Sequence, residues 1–291
     1  MKILVIGKKG FISTSFQTYM KKYPEVQVHA ISARGDKWKE YDFSGYDAVY
    51  NTTGLAHDDA RMGTDALFMA LNRDLPEALA KKAKEAGVKT FINMSSMIVY
   101  GDMSELGFKE RITERTVPKP SGIYGESKLA GEKVLKALSD EKFHIAIIRS
   151  PLVYSEYAID NFLKLANYAV KYPIFPKIKN ARSMIYSDNL CELVKLIAEN
   201  NGLGIYYPQQ EEYICTSKLV RDVARAAGHK LILTKIFNPI LFLASKKILF
   251  IRKVFGSLAY DKKTSNCFNG KYIVVNYEES IRRLAEGKRN E

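Results

Sequence analysis

Short apolar runs alternate with amphipathic stretches along the first half of the chain. The apolar runs predict buried strands at residues 2–6, 26–32, 48–52, 90–94 and 145–149. Between the strands, apolar residues recur at helical spacing over residues 11–22, 65–85 and 128–139. The alternation predicts an α/β fold in which a doubly wound parallel sheet is covered by helices on both faces.

This rhythm becomes irregular after about residue 150. Prolines recur at positions 173, 176 and 208, and the remaining signals predict helices at 161–171 and 189–200 and strands at 184–186 and 204–207. We therefore expect two domains. The first covers residues 1–155 and also receives part of 182–207, and a smaller α/β lobe is built mainly from residues 156–291.

Composition limits the class of protein. The chain has 291 residues, of which 46% are hydrophobic, so a sizeable core can form. We find no apolar run of the roughly 18 residues that a membrane-spanning helix needs. Lys8 and Lys9 interrupt the N-terminal apolar stretch, which is not typical of a signal peptide, so a cytoplasmic location is expected. The three cysteines lack metal-like spacing, and no metal site is predicted.

The net charge of +13 favours polyanionic partners. The lysines are spread along the chain without a dense basic run, so nucleic acid is not an expected partner. One segment, IFNPILFLASKKILFIRKVFG at residues 236–256, is apolar, aromatic and basic. It fits either a weak association with an anionic membrane surface or a helix packed in the second lobe with its lysines exposed.

A glycine-containing loop, GKKGFIS at residues 7–13, lies between the first predicted strand and helix. Gly7 would permit a tight turn, and Gly10 would let the backbone approach a pyrophosphate at the start of the helix. The last position requires a small residue, and Ser13 is small. This context predicts a dinucleotide-binding loop, with an ordinary glycine turn as the alternative.

The end of the second predicted strand, HAISARGD, bears on the choice of dinucleotide. In NAD sites an acidic residue there commonly binds the ribose hydroxyls, but positions 31–34 hold none. Arg34, with Lys8 or Lys9 from the neighbouring loop, could instead bind a 2′-phosphate. The pattern favours NADP(H), while the nearby Asp36 keeps NAD(H) open.

A candidate catalytic group lies in INMSSMIVYG and SGIYGESKLAGEKVL. Tyr124 and Lys128 are four residues apart, so a helix would place them on one face. An ammonium near a phenol lowers the phenol's pKa and makes it an effective general acid or base. Ser96 ends a predicted strand, where ligands gather in open α/β sheets.

Taken together, these motifs resemble the extended short-chain dehydrogenase/reductases of the nucleotide-sugar epimerase/dehydratase superfamily. The resemblance covers nearly the whole chain and is best over residues 1–190. Gly7, Gly10 and Ser13 match the family's Gly-x-x-Gly-x-x-Gly with serine in place of the last glycine. The resemblance implies a Rossmann-like fold and a catalytic set of Ser96, Tyr124 and Lys128.

The same resemblance implies further binding residues. Those expected to hold the cofactor are Gly7, Lys9, Gly10, Phe11, Ile12, Ser32, Arg34, Thr52, Thr53, Gly54, Asn72, Tyr124, Lys128, Pro151 and Val153. Those expected to hold the substrate are Ser96, Asn161, Arg182 and Arg252. For Arg182 and Arg252, plain surface charge is the alternative interpretation. Family members often dimerise, so a homodimer is possible.

The two residues after Ser96 reduce the number of candidate reactions. Dehydratases of this superfamily usually carry an Asp-Glu pair there, and this chain has Met97 and Ile98. The missing acid after the second strand disfavours a 4-epimerase that retains NAD. We therefore expect NADPH-dependent reduction of a nucleotide-linked 4-ketosugar. The stretches KYPIFPKIKNARSMIYSDNL and KVFGSLAYD resemble the subgroup that reduces the 4-keto group of UDP-linked 6-deoxy-N-acetylhexosamines, and this resemblance implies such a substrate. The product would be of the UDP-N-acetylfucosamine or UDP-N-acetylquinovosamine type, for bacterial capsule or O-antigen synthesis. Two alternatives stay open, an NAD-dependent 4-epimerase and a non-enzymatic cofactor-sensing protein.

Overall fold

The computed structural model describes residues 1–55, 63–101, 106–107, 110–157 and 161–289, without the side chains of 161–164, 166, 288 and 289. The described residues form two compact units. The first contains Met1–Gly101, Val117–Ser150 and Asp188–Pro208. The second contains the remaining described residues.

The strands, in chain order, are β1 (Lys2–Ile6), β2 (Gln27–Ile31), β3 (Ala48–Asn51), β4 (Thr90–Ser96), β5 (His144–Ser150), β6 (Leu152–Tyr154), β7 (Ile174–Pro176), β8 (Met184–Tyr186), β9 (Gly204–Tyr206) and β10 (Ile232–Thr234). The α-helices are α1 (Phe11–Met20), α2 (Lys37–Glu40), α3 (Asp65–Met69), α4 (Leu75–Glu85), α5 (Ile123–Lys136), α6 (Asn161–Lys171), α7 (Ser187–Glu199), α8 (Thr216–Ala226), α9 (Asn238–Ser245), α10 (Leu249–Phe255) and α11 (Tyr277–Arg289).

The first unit is built on a six-stranded parallel sheet in the order β2-β1-β3-β4-β5-β9. Its inner strands β1, β3, β4 and β5 are buried along almost their whole length, as is typical of parallel sheets. Four residues of β1 are fully buried, and Leu79 of α4 and Leu135 of α5 belong to the buried core around the sheet. The prediction of an α/β fold with a central parallel sheet is confirmed.

Two helix predictions need correction. The predicted helix 65–85 contains a π-helical turn, Ala70–Asp74, between α3 and α4. The helix predicted at residues 128–139 begins earlier, at Ile123, after Gly122 with φ 96°. Gly125, which disfavours a helix by propensity, is a packing position. A Cβ there would lie 3.0 Å from the Ile98 carbonyl oxygen.

The second unit contains two small parallel sheets, β6 with β8 and β7 with β10. Its buried core includes Tyr154, Tyr186, Val220, Phe255 and Leu284, contributed by strands and by helices α8, α10 and α11. Within the described parts of the chain, no helix combines the length and the apolar character needed to cross a bilayer.

Candidate active site

The strand order of the first unit reverses between β1 and β3, since the chain passes from β1 to β2 on one side and then to β3 on the other. Open parallel sheets bind ligands in the crevice at the carboxyl ends of the strands beside such a reversal. The loop that starts at Gly7 follows β1, and Thr52 follows β3. Both predicted cofactor loops therefore leave the sheet at this point.

The two loops are packed closely against each other. Gly7 has a φ of 113°, and a Cβ there would lie 2.4 Å from Thr52 Oγ1. That hydroxyl donates a 2.8 Å hydrogen bond to the Ile6 carbonyl. Gly10, at the start of α1, is different, because a Cβ there would meet nothing within 4 Å. Ser13 is fully buried. The open space at Gly10 and the helix N–H groups behind it fit the pyrophosphate of a dinucleotide.

The end of β2 is joined to the same loop. The Ile31 carbonyl accepts hydrogen bonds from the backbone N–H groups of Gly7 (2.9 Å) and Lys8 (3.2 Å). The Arg34 N–H donates to Ser32 Oγ at 3.1 Å, and the Arg34 side chain is exposed. Asp36, the acid nearest to Arg34 in the sequence, forms a 2.8 Å ion pair with Lys39. Lys8 and Arg34 thus belong to two segments tied together at Ile31.

Lys128 is buried where α5 meets the end of β4. Its Nζ donates to the Met94 carbonyl at 3.1 Å, and a Cβ on Gly54 would lie 2.7 Å from that nitrogen. Removal from water lowers the pKa of Lys128 to about 8, against an opposing effect from the Glu132 carboxylate. The lysine therefore contacts both β4 and the loop after β3.

Asn72 joins the same loop to α5. Its Oδ1 accepts from the Leu55 N–H at 3.0 Å, and its Nδ2 donates to Ser127 Oγ at 3.0 Å. A Cβ on Gly131 would lie 2.1 Å from the Asn72 carbonyl oxygen, so the two helices touch through their backbones. Asn72 lies in the π-helical turn, a feature often found at functional sites.

Ser96 and Tyr124 complete the candidate catalytic set. Ser96 is the last residue of β4, half-buried, and its Oγ accepts a 3.3 Å bond from the Ile98 N–H. Tyr124 is half-buried one turn before Lys128 on α5, with its ring centroid 6.4 Å from that of Phe68. A phenol, an ammonium and a hydroxyl at one end of a parallel sheet are suited to proton transfer at a carbonyl oxygen.

A buried charge network beside these residues was missed by the sequence reasoning. Arg149 Nη2 lies 2.6 Å from Glu132 Oε2, and both side chains are almost fully buried. Ser95 Oγ donates to Glu132 Oε1 at 2.6 Å, and Arg149 Nη1 donates to the Tyr100 hydroxyl at 2.6 Å. Burial disfavours the guanidinium charge, but the Glu132 carboxylate outweighs it and raises the pKa of Arg149. An arginine inside the apolar run IAIIRS is the signal that could have found the network, because a buried charge needs a partner.

Five other predicted residues lie in the second unit. Pro151 precedes β6, and Val153 pairs with Ile185 of β8. Arg182 Nη1 donates to the Gly256 carbonyl at 3.2 Å, and the Gly256 N–H donates to the Arg252 carbonyl at 2.7 Å. The Arg182 guanidinium therefore contacts the residue that follows α10, the helix that carries Arg252. Asn161 begins α6, and its side chain lies outside the described residues.

Comparison with known proteins identifies the family to which the chain belongs. Residues 3–206 match the model of the NAD dependent epimerase/dehydratase family. A UDP-glucose 4-epimerase from Vibrio cholerae is 26% identical over 250 residues, which cover 77% of this chain and 75% of that protein.

Solved structures share the fold at low identity. A dTDP-4-dehydrorhamnose reductase from Clostridium acetobutylicum aligns with a TM-score of 0.76 at 17% identity, covering 99% of this chain and 100% of its own. RMD from Pseudomonas aeruginosa, solved with NADPH, aligns with a TM-score of 0.75 at 16% identity, covering 99% of each chain.

Proposed function

Because this chain belongs to the NAD dependent epimerase/dehydratase family, we propose that it reduces a nucleotide-linked ketosugar with NADPH. The proposed substrate is a UDP-linked 6-deoxy-N-acetylhexosamine with a ketone at C4. The proposed product is of the UDP-N-acetylfucosamine or UDP-N-acetylquinovosamine type, for bacterial surface polysaccharides. The observation that carries the proposal is the end of β2, where Arg34 is exposed, positions 31–34 hold no acidic residue, and the Ile31 carbonyl accepts a hydrogen bond from the Lys8 N–H.

The proposed cofactor site runs along the carboxyl ends of β1, β2 and β3. Gly7 and Gly10, with the N-terminus of α1, would receive the pyrophosphate, and the space at Gly10 supports this assignment. Ser32 and Arg34, with Lys8 or Lys9, would hold a 2′-phosphate. The other residues proposed to line the cofactor are Phe11, Ile12, Thr52, Thr53, Gly54, Asn72, Pro151 and Val153. The ion pair between Asp36 and Lys39 supports a cationic environment at Arg34, because it balances the charge of the acid nearest to Arg34 in the sequence.

The proposed chemistry uses three side chains. When bound, the nicotinamide supplies the hydride for the ketone carbon. Tyr124 would donate its phenolic proton to the oxygen as charge develops there, and the Lys128 ammonium would stabilise the resulting phenolate. Ser96 would donate a hydrogen bond to the same oxygen.

Dehydration is not proposed, because Met97 and Ile98 follow Ser96 in a 3₁₀ turn and neither side chain can transfer a proton. Arg182 and Arg252 are proposed to bind the substrate's diphosphate, and the hydrogen bond from Arg182 Nη1 to the Gly256 carbonyl, at the end of the helix that carries Arg252, supports their lying near each other. Asn161 is proposed to assist them. The uridine part of the substrate is suggested by the relative from Vibrio cholerae, which is named for a UDP-sugar.

Replacing Arg34 by Ala should weaken NADPH binding by about tenfold to a hundredfold, the typical effect of losing charge-assisted hydrogen bonds. NADH binding should change by less than about twofold, because NADH lacks the 2′-phosphate. Isothermal titration of both cofactors measures this, with Lys21→Ala at the exposed end of α1 as the control variant. Equal weakening of both cofactors, or tighter binding of NADH by the original chain, would contradict the assignment.

A 4-epimerase is the second candidate, favoured by the 26% identity with the Vibrio cholerae enzyme over three quarters of both chains. An epimerase oxidises and re-reduces the same sugar and has no net need of NADPH. Protein purified with about one tightly held NAD per chain, together with interconversion of C4 epimers, would support this candidate over the reductase.

A further inference from the structure

Helices α9 and α10 carry apolar residues on opposite faces. On the inner face, Leu241 and Val254 pack against the buried core of the second unit, in which Phe255 is buried. On the outer face, Ile240 is 70% and Leu243 is 72% exposed. A helix that is apolar all round belongs in a core or against a medium other than water. The inner face has such surroundings, and the outer face faces solvent.

The exposed apolar residues continue beyond the two helices. Ile236, just before α9, is 76% exposed, and Ile232 of β10 and Phe250 of α10 are also exposed. A cavity of about 260 Å³ joins the end of β7 to α9, and its lining consists of Tyr168, Pro176, Phe237, Ile240 and Leu241. We call the exposed side chains among residues 232–253 the apolar-basic surface. Patches of this kind mark contacts with a protein or a membrane.

The charge of this surface distinguishes between a protein partner and a membrane. Between Asp222 and Asp261 the chain has no acidic residue, and its cations there are Arg225, Lys230, Lys235, Lys246, Lys247, Arg252 and Lys253. Lys235, Lys246 and Lys247 are exposed among the exposed apolar side chains. A second copy of this chain would bring the same cations against them, which disfavours self-association. A bilayer with acidic headgroups offers both an apolar interior and negative charge.

We propose that the apolar-basic surface binds anionic membranes, with Ile236, Ile240, Leu243 and Phe250 entering the headgroup region and the lysines contacting lipid phosphates. Binding is peripheral, because no helix among the described residues is able to cross a bilayer. The proposal is independent of the reaction catalysed. It would keep the protein at a membrane face through this one surface.

Vesicle flotation with the full chain tests the proposal. Phosphatidylcholine vesicles that contain phosphatidylglycerol should carry the protein upward. Vesicles of pure phosphatidylcholine should carry at least about tenfold less protein. The double variants Ile240→Ser/Leu243→Ser and Lys246→Glu/Lys247→Glu should each lose about tenfold or more of the binding to the acidic vesicles. High salt should weaken binding by the original chain.

Matched controls keep the result specific. Val117→Ser removes an exposed apolar side chain elsewhere, and Lys21→Glu/Lys142→Glu reverses two exposed charges elsewhere, so both should float like the original chain. Circular dichroism checks that each variant is folded. Absence of flotation, equal binding to neutral vesicles, or loss of binding in the controls would overturn the proposal. A further outcome would also overturn it: the original chain does not float but forms dimers, and Ile240→Ser/Leu243→Ser dissociates them. The surface would then be a contact between two copies of the chain.

Discussion

Replacing Tyr124 by Phe should lower turnover by about a hundredfold to ten-thousandfold while NADPH affinity changes little. The substitution removes one oxygen, the proposed proton donor, and leaves the ring against Phe68. NADPH oxidation in the presence of a ketosugar gives the rate, and titration with NADPH alone gives the affinity. The matched control is Tyr172→Phe, which removes a hydroxyl from an exposed tyrosine of the second unit and should keep full activity.

The same assay across pH provides an independent check on this assignment. The pKa of Lys128 is lowered to about 8, so the ammonium is present below that pH and is lost above it. Because the ammonium is proposed to stabilise the Tyr124 phenolate, kcat/KM for reduction should fall as pH rises through about 8.

Retention of more than about a tenth of the activity by Tyr124→Phe would remove this tyrosine from the proposed mechanism.

Replacing Glu132 by Gln should destabilise the protein by about 3–5 kcal/mol, because it leaves the buried Arg149 guanidinium without a counter-charge. The double variant Glu132→Met/Arg149→Met should be less damaged than the single variant, since apolar side chains of similar size can replace a buried ion pair. Urea unfolding followed by circular dichroism measures the free energy of unfolding of each variant.

The chain offers a control ion pair of the same length on its surface. Glu77 and Lys81 on α4 also form an ion pair of 2.6 Å, but both side chains are much more exposed. Glu77→Gln should therefore change the free energy of unfolding by less than about 1 kcal/mol. Similar losses of unfolding free energy for Glu77→Gln and Glu132→Gln would contradict the account of the buried network. A double variant less stable than Glu132→Gln alone would also contradict it.

Features that depend on local pattern were predictable from the sequence. Strand 2–6 and helix 161–171 were placed at their observed bounds, because uninterrupted apolar runs and helical periodicity are local signals. The loop after β1 was also recognisable, since its glycines stand between a strand and a helix. Ser13, which stands where the family's pattern has its last glycine, is fully buried, in line with the expectation that this position requires a small residue.

Features that depend on distant contacts were not predictable in the same way. The bond from Asn72 to Ser127 joins residues 55 positions apart, and the Glu132–Arg149 pair joins a helix to a strand. No local pattern encodes such pairs, although the buried charge in β5 demanded one. The start of α5 was predicted too late because Gly125 weakens the helical signal, and the close approach of the Ile98 carbonyl explains the glycine.

The most direct test of the proposed function is to mix the purified chain with NADPH and a UDP-linked 4-keto-6-deoxy-N-acetylhexosamine. We predict loss of nicotinamide absorbance, with about one NADPH consumed for each C4 hydroxyl formed, and a much slower reaction with NADH. No consumption of NADPH by the folded protein, or interconversion of C4 epimers without net consumption, would contradict the assignment as a reductase.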